Sequence, residues 1–172
     1  MAPTMEQLRF LTEDQVRRLQ AEFGTPLFVY DQASLERQAA IALGFPAPFG
    51  LTVRYAMKAC PSAAVLRVLT GSGLHIDASS GWEVRRALAA GLPAERILLT
   101  AQQIPEDLAD LVGLGTRFNA CSLGQLAAFG QACPGHEVSV RLNPGLGSGH
   151  SNRTNVGGPS ASFGIWHSNL ER

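Results

Sequence analysis

Leu51-Thr-Val-Arg-Tyr55-Ala-Met57-Lys58-Ala-Cys60 decides the reading of this chain: a largely apolar run that ends by delivering a lysine. A short stretch rich in Leu, Val and Tyr, entered from a loop with two prolines at residues 44–50, reads as a strand. Further strand candidates begin near Leu74, Arg96, Thr116 and Glu137, so the starts recur every 20–23 residues. That interval holds one strand, one helix and two short connections. Helix signals fall where it needs them. Ser80-Gly-Trp-Glu83 and Ser122-Leu-Gly-Gln125 both match the capping box, in which hydroxyl and N3 side chain satisfy orphan N–H groups. Gly91 after Ala87-Leu-Ala-Ala90 closes one helix, and Pro105-Glu106-Asp107 opens another with the acidic first turn the helix dipole favours.

Strands alternating with helices over short connections imply α/β architecture with a parallel sheet, open and doubly wound or closed into a (β/α)8 barrel. The spacing does not choose between them. Five units end near Leu142, and the last 30 residues read as loop, with no sixth strand and helix. A barrel would therefore be incomplete, at about five βα units. Its last strand would present an unpaired edge and its helices an uncovered apolar face, so the chain is expected to be part of something longer. A complete five-stranded open sheet is the alternative. Ahead of the repeat, Thr12-Glu13-Asp14 opens a helix that Gly24 stops, Leu27-Phe28-Val29-Tyr30 reads as a strand, and residues 33–43 read as a second helix. The expected division is residues 1–44 as an N-terminal helix and strand segment and residues 45–172 as the barrel part.

Composition narrows the class. The chain has 172 residues, 45% apolar and 16% charged, which is enough for one domain with a real core. Fourteen basic side chains meet fourteen acidic ones, so no bulk field draws in nucleic acid or an anionic membrane. No 18-residue apolar run exists for a membrane span, and the first ten residues hold no signal-type apolar stretch. Cys60, Cys121 and Cys133 are odd in number and lack C-x-x-C spacing, which fits neither a disulfide framework nor a metal site and points to a reducing cytoplasm.

Lys58 stands at the carboxyl end of the first strand, where α/β folds place their chemistry. A lysine there can simply extend its stem along the surface. Partly desolvated among Tyr55, Met57 and Cys60, its amine would instead be a nucleophile able to form a Schiff base. It is the only lysine in the sequence; every other basic residue is an arginine, which forms no such imine at neutral pH.

The motifs around it extend the case. Tyr55-Ala-Met-Lys58-Ala-Cys60 resembles the Y-A-x-K-A motif of the alanine-racemase-like, fold type III decarboxylases. Gly24-Thr-Pro-Leu-Phe-Val-Tyr-Asp31 is similar to their G-T-P-x-x-V-Y-D opening, and Ile76-Asp77-Ala-Ser-Ser80-Gly81-Trp82-Glu83 to their D-x-x-S-x-G-E segment, with Trp82 here set before the glutamate. Asn119-Ala-Cys-Ser122 resembles the N-x-x-S turn after the fourth strand, and Val138-Ser-Val-Arg141-Leu-Asn143-Pro-Gly145 the L-R-x-N-P-G of the fifth. Residues 149–166 look most like the diaminopimelate decarboxylase branch of that family.

The resemblance implies a pyridoxal-phosphate-binding (β/α)8 barrel and decarboxylation of an amino acid, meso-2,6-diaminopimelate giving L-lysine. Ornithine, arginine or carboxynorspermidine are rival substrates, and a non-catalytic remnant is a rival of another class. In the family scheme Lys58 holds the cofactor, Asp77 and Arg141 set its position and charge, and His150 belongs to a loop over the site. From the residues alone Asp77 reads equally as a cap or turn residue, Arg141 as a strand-end ion pair, His150 as a solvated loop side chain and Cys60 as packing. The run Gly145-Leu-Gly147-Ser-Gly149 lacks the strand-to-helix setting of a dinucleotide loop and reads as a flexible turn. The family's phosphate-binding glycines, its stacking histidine and its C-terminal β-domain, which the N-terminal helix and strand would join and which carries much of the homodimer contact, are not found here. The chain alone is thus expected to turn over weakly or not at all.

Overall fold

A computed structural model describes residues 10–147, 156–159 and 161–169. Two helices come first, α1 (Glu13–Phe23) and α2 (Gln32–Leu43). Thr12 caps α1 with a full capping box to Gln15, Gly24 ends it at φ +79°, and Asp31 caps α2 by accepting from the Ser34 N–H at 3.0 Å. Residues 27–30, expected as a strand, form no strand and join no ladder among the described residues, and Phe28 is 87% exposed. The apolar pattern is that of a strand; a ladder needs a partner as well.

The repeat then follows: β1 (Arg54–Ala56), α3 (Ala63–Gly71), β2 (His75–Ala78), α4 (Gly81–Ala89), β3 (Ile97–Leu99), α5 (Leu108–Gly113), β4 (Arg117–Ala120), α6 (Leu123–Ala132) and β5 (Ser139–Val140). The strands are parallel and stand in the order β1-β2-β3-β4-β5. A doubly wound sheet reverses its strand order at a switch point, whereas here every crossover steps the same way. The open-sheet alternative is overturned: this is an arc of a barrel.

Strand five does not end the arc. Arg141 breaks it, giving its N–H back to Ala120 O at 2.8 Å while its own carbonyl accepts from Ile165 N at 2.7 Å. Beyond the break β6 (Leu142–Asn143) pairs in parallel with β7 (Ile165–Trp166). The segment read as loop therefore supplies a sixth strand position. Only two residues pair there, too few for a period-two pattern to show.

Burial separates the faces. Ile76, Ala78, Ile97, Leu99, Phe118 and Ala120 are buried in one cluster with Leu66, Val84, Ala87, Leu111 and Phe129 of the helices. The alternate residues, His75, Asp77, Leu98, Arg117, Asn119 and Ser139, face away from that layer and stay at least partly exposed. The helix starts at Ser80 and Ser122 form as expected, each hydroxyl accepting from the N3 N–H. The reciprocal arm reaches one residue further out: Glu83 accepts from Ser79 N and Gln125 from Cys121 N. Helix α5 starts at Leu108, not at Pro105; the Asp107 carboxylate is taken by an ion pair with Arg85 and makes no cap bond.

Candidate active site

Lys58 leaves β1 on a one-turn 3-10 helix, Met57–Ala59. Met57 is fully buried in the layer between sheet and helices and pins this turn, leaving Lys58 exposed on the solvent side. The desolvated lysine expected from its apolar neighbours is not what forms, because Met57 packs inward and away from it. Cys60 is half-buried, its thiol donating to the Tyr30 hydroxyl at 3.3 Å. The contact ties the segment between α1 and α2 to the Lys58 turn.

Asp77 lies inside β2, in register with Ala56, the last residue of β1 before the Lys58 turn. It caps nothing; that task belongs to Ser80. Its Oδ1 accepts from Thr100 Oγ1 at 2.8 Å, Thr100 Oγ1 accepts from Asn119 Nδ2 at 3.4 Å, and Asn119 Oδ1 accepts from Ser139 Oγ at 3.0 Å. One hydrogen-bonded row thus crosses four strands on the inner face. Arg141 continues the arc. Its guanidinium donates to Val156 O at 3.0 Å and lies 4.7 Å over the Phe163 ring, so among the described residues it makes no strand-end ion pair. Burial raises the Cys121 thiol, Arg141 counters it and Asp77 adds to it, which places both charges within electrostatic reach of the end of β4.

Asn143 secures the loop beside Arg141. It is 3% exposed, and its amide accepts from Gly158 N and donates to Gly158 O, both at 2.9 Å, while Oδ1 also accepts from Gly145 N at 3.1 Å. His150 and the glycine run beyond Gly147 lie outside the described residues. Lys58, Asp77 and Arg141 therefore lie at or near the carboxyl ends of β1, β2 and β5, with β3 and β4 between the last two. Thr100, Ser139 and the clamping role of Asn143 were missed. The available signal was Thr100 as the first polar residue after Ile97-Leu-Leu99.

The family model described as "Pyridoxal-dependent decarboxylase, pyridoxal binding domain" matches residues 33–172. The chain belongs to the pyridoxal-dependent decarboxylases. Within that family it is 43% identical over 156 residues to a diaminopimelate decarboxylase of Streptomyces coelicolor, covering 88% of this chain and 34% of that protein. It is 40% identical over 165 residues to one of Escherichia coli, covering 93% and 38%. A crystal structure of diaminopimelate decarboxylase matches at TM-score 0.81 and 39% identity, over 93% of this chain and 38% of that one. The chain thus spans little more than a third of the length of these relatives. A Helicobacter pylori diaminopimelate decarboxylase structure shares the fold at TM-score 0.78 and 21% identity.

The cofactor of a pyridoxal-dependent decarboxylase is pyridoxal phosphate, and the donor set here fits it. A Schiff base needs a primary amine, and the single side-chain amine in this sequence stands on the turn after β1, two residues beyond the one in register with Asp77.

Proposed function

We propose that the protein carrying this chain decarboxylates meso-2,6-diaminopimelate to L-lysine, with pyridoxal phosphate held by Lys58. The observation that carries the reading is the placement of the sole lysine on the turn after β1, two residues beyond the register of Asp77, in a chain that is 40–43% identical to diaminopimelate decarboxylases. When bound, the cofactor takes up the electron pair left behind as the carboxylate departs as CO₂.

This chain's own residues hold and orient. The Lys58 amine supplies the covalent anchor. Asp77, fixed by Thr100, presents an acceptor and a negative charge at the rim. Arg141 and Asn143 keep the loop around residues 156–158 against the ends of β5 and β6. A homodimer and a cytoplasmic setting complete the reading, the latter supported by three unpaired cysteines. With about a third of the relatives' length, the 172 residues alone turn over little or nothing.

The test is a substrate panel of meso-diaminopimelate, ornithine, arginine and lysine, scored for CO₂ release and for the amine product, on the longest natural protein carrying this sequence. Lysine formed from diaminopimelate, with the other amino acids turned over at least 100-fold more slowly, is the expected result. Faster release from ornithine or arginine would move the assignment to the corresponding decarboxylase.

A further inference from the structure

The row from Ser139 to Asp77 has a direction. Asn119 Nδ2 can only donate, so Thr100 Oγ1 accepts there, and the single hydroxyl proton of Thr100 is committed to Asp77 Oδ1. Ser139 donates in turn to Asn119 Oδ1 and lies 3.1 Å from Phe118 O, which sets the amide so that its NH₂ faces Thr100. One member comes from each of four consecutive strands or strand ends, so the barrel arc itself assembles the row. Thr100 is held to the sheet by its own N–H, which donates to Ala78 O at 2.8 Å. Asp77 therefore has one oxygen fixed by the row, and Oδ2 has no partner among the described residues.

We propose that Thr100, backed by Asn119 and Ser139, is a positioning residue that fixes the Asp77 carboxylate by one oxygen and presents the other to the group bound at Lys58. The inference rests on Lys58 being the cofactor lysine. A carboxylate on a two-bond side chain can rotate through a broad range at its terminal torsion, and a donor 2.8 Å from one oxygen removes that freedom before the cofactor arrives. A group aligned in advance needs no reordering on binding. The charge of Asp77 is then delivered at one place on the rim instead of being averaged over several.

The experiment compares Thr100→Val, which keeps the shape and removes the donor, with Thr100→Ser, which keeps the donor, in the purified protein. Pyridoxal 5'-phosphate is titrated in, its covalent capture is read by borohydride reduction and mass of the Lys58 peptide, and the visible absorbance of the bound cofactor is followed against pH. Thermal unfolding reports folding. The expected result is that Val weakens cofactor affinity about tenfold and displaces the pH midpoint of the absorbance, Ser restores both, and the unfolding midpoint barely changes. Capture at Lys58 with Val equal to wild type in affinity and pH profile, or with Ser failing to restore them, overturns the role of Thr100 alone. Should Val fail to fold, Asn119→Ala supplies the second variant: it frees Thr100 from its donor and is expected to shift the pH midpoint in the same direction, and an unchanged midpoint overturns the proposal. No capture at Lys58 in the wild type removes the cofactor reading and this one with it.

Discussion

At the scale of single residues the proposed site rests on one nitrogen and one amide. Lys58→Ala is expected to abolish covalent pyridoxal phosphate capture outright, since no second lysine can substitute; borohydride-trapped label found elsewhere would contradict the assignment. Lys58 is exposed and Met57 beneath it carries the packing, so this substitution should leave the unfolding free energy within about 0.5 kcal/mol of wild type. Asn143 is the opposite case. Its amide satisfies both backbone groups of the buried Gly158, and Asn143→Ala strands them where water does not reach. The expected loss is roughly 2–3 kcal/mol, read by urea unfolding, with faster proteolysis near residue 157. Asn143→Asp keeps the acceptor and loses the donor to Gly158 O, and should fall between the two.

At the scale of elements, the β6–β7 pair depends on Gly164, which sits at φ +89° with Asn143 N only 2.9 Å from where a Cβ would lie. Gly164→Ala meets both backbone strain and a backbone clash, so the pair should open and the chain lose roughly 1–3 kcal/mol in a denaturant melt. An unchanged midpoint would mean that the pairing contributes nothing. Elements of this kind mark what was legible in the sequence. His75-Ile-Asp-Ala and Arg117-Phe-Asn-Ala show the same polar-apolar alternation, and Ser80 and Ser122 announce the helices behind them, so β2, β4, α4 and α6 could be placed from local chemistry. Lys58 stood out by its place at a strand end, whereas Asp77 and Arg141 were singled out only by the family resemblance. What stayed hidden depends on partners distant in sequence. Residues 27–30 have a strand's composition without a ladder, Ile165–Trp166 is a strand only because Arg141 and Leu142 present bonding groups to it, and the Thr100 to Asn119 to Ser139 row joins residues about 20 positions apart. Asp107 shows the same limit in reverse, its expected place in a helix start lost to Arg85.

At the scale of the whole molecule, the inner face of the arc is electrically divided. Asp77 and the Lys58 turn stand toward the carboxyl ends of the strands, whereas Arg54, His75 and Arg117 gather nearer the amino ends. Arg54 is pushed down from its ordinary value by burial and by Arg117, with Asp77 opposing. His75 feels the same surroundings: burial first, then Arg54, Arg96 and Arg117, depress its pKa below 6.5, and only Glu95 pulls the other way. Its Nδ1 is buried with no hydrogen-bond partner among the described residues, so a second ring proton would gain no acceptor. The sign of the pH dependence follows. With the folded value depressed, the unfolded chain binds the proton more readily, so stability rises with pH across this window. The contribution is present in full above 6.5 and is lost as pH falls from there through the lower folded value. Urea midpoints should therefore drop between pH 7.5 and pH 5, and His75→Gln, which keeps a polar side chain but cannot titrate, should show a smaller drop over the same interval. Equal slopes for variant and wild type would place the acid sensitivity elsewhere and leave His75 a spectator in the cationic end of the arc.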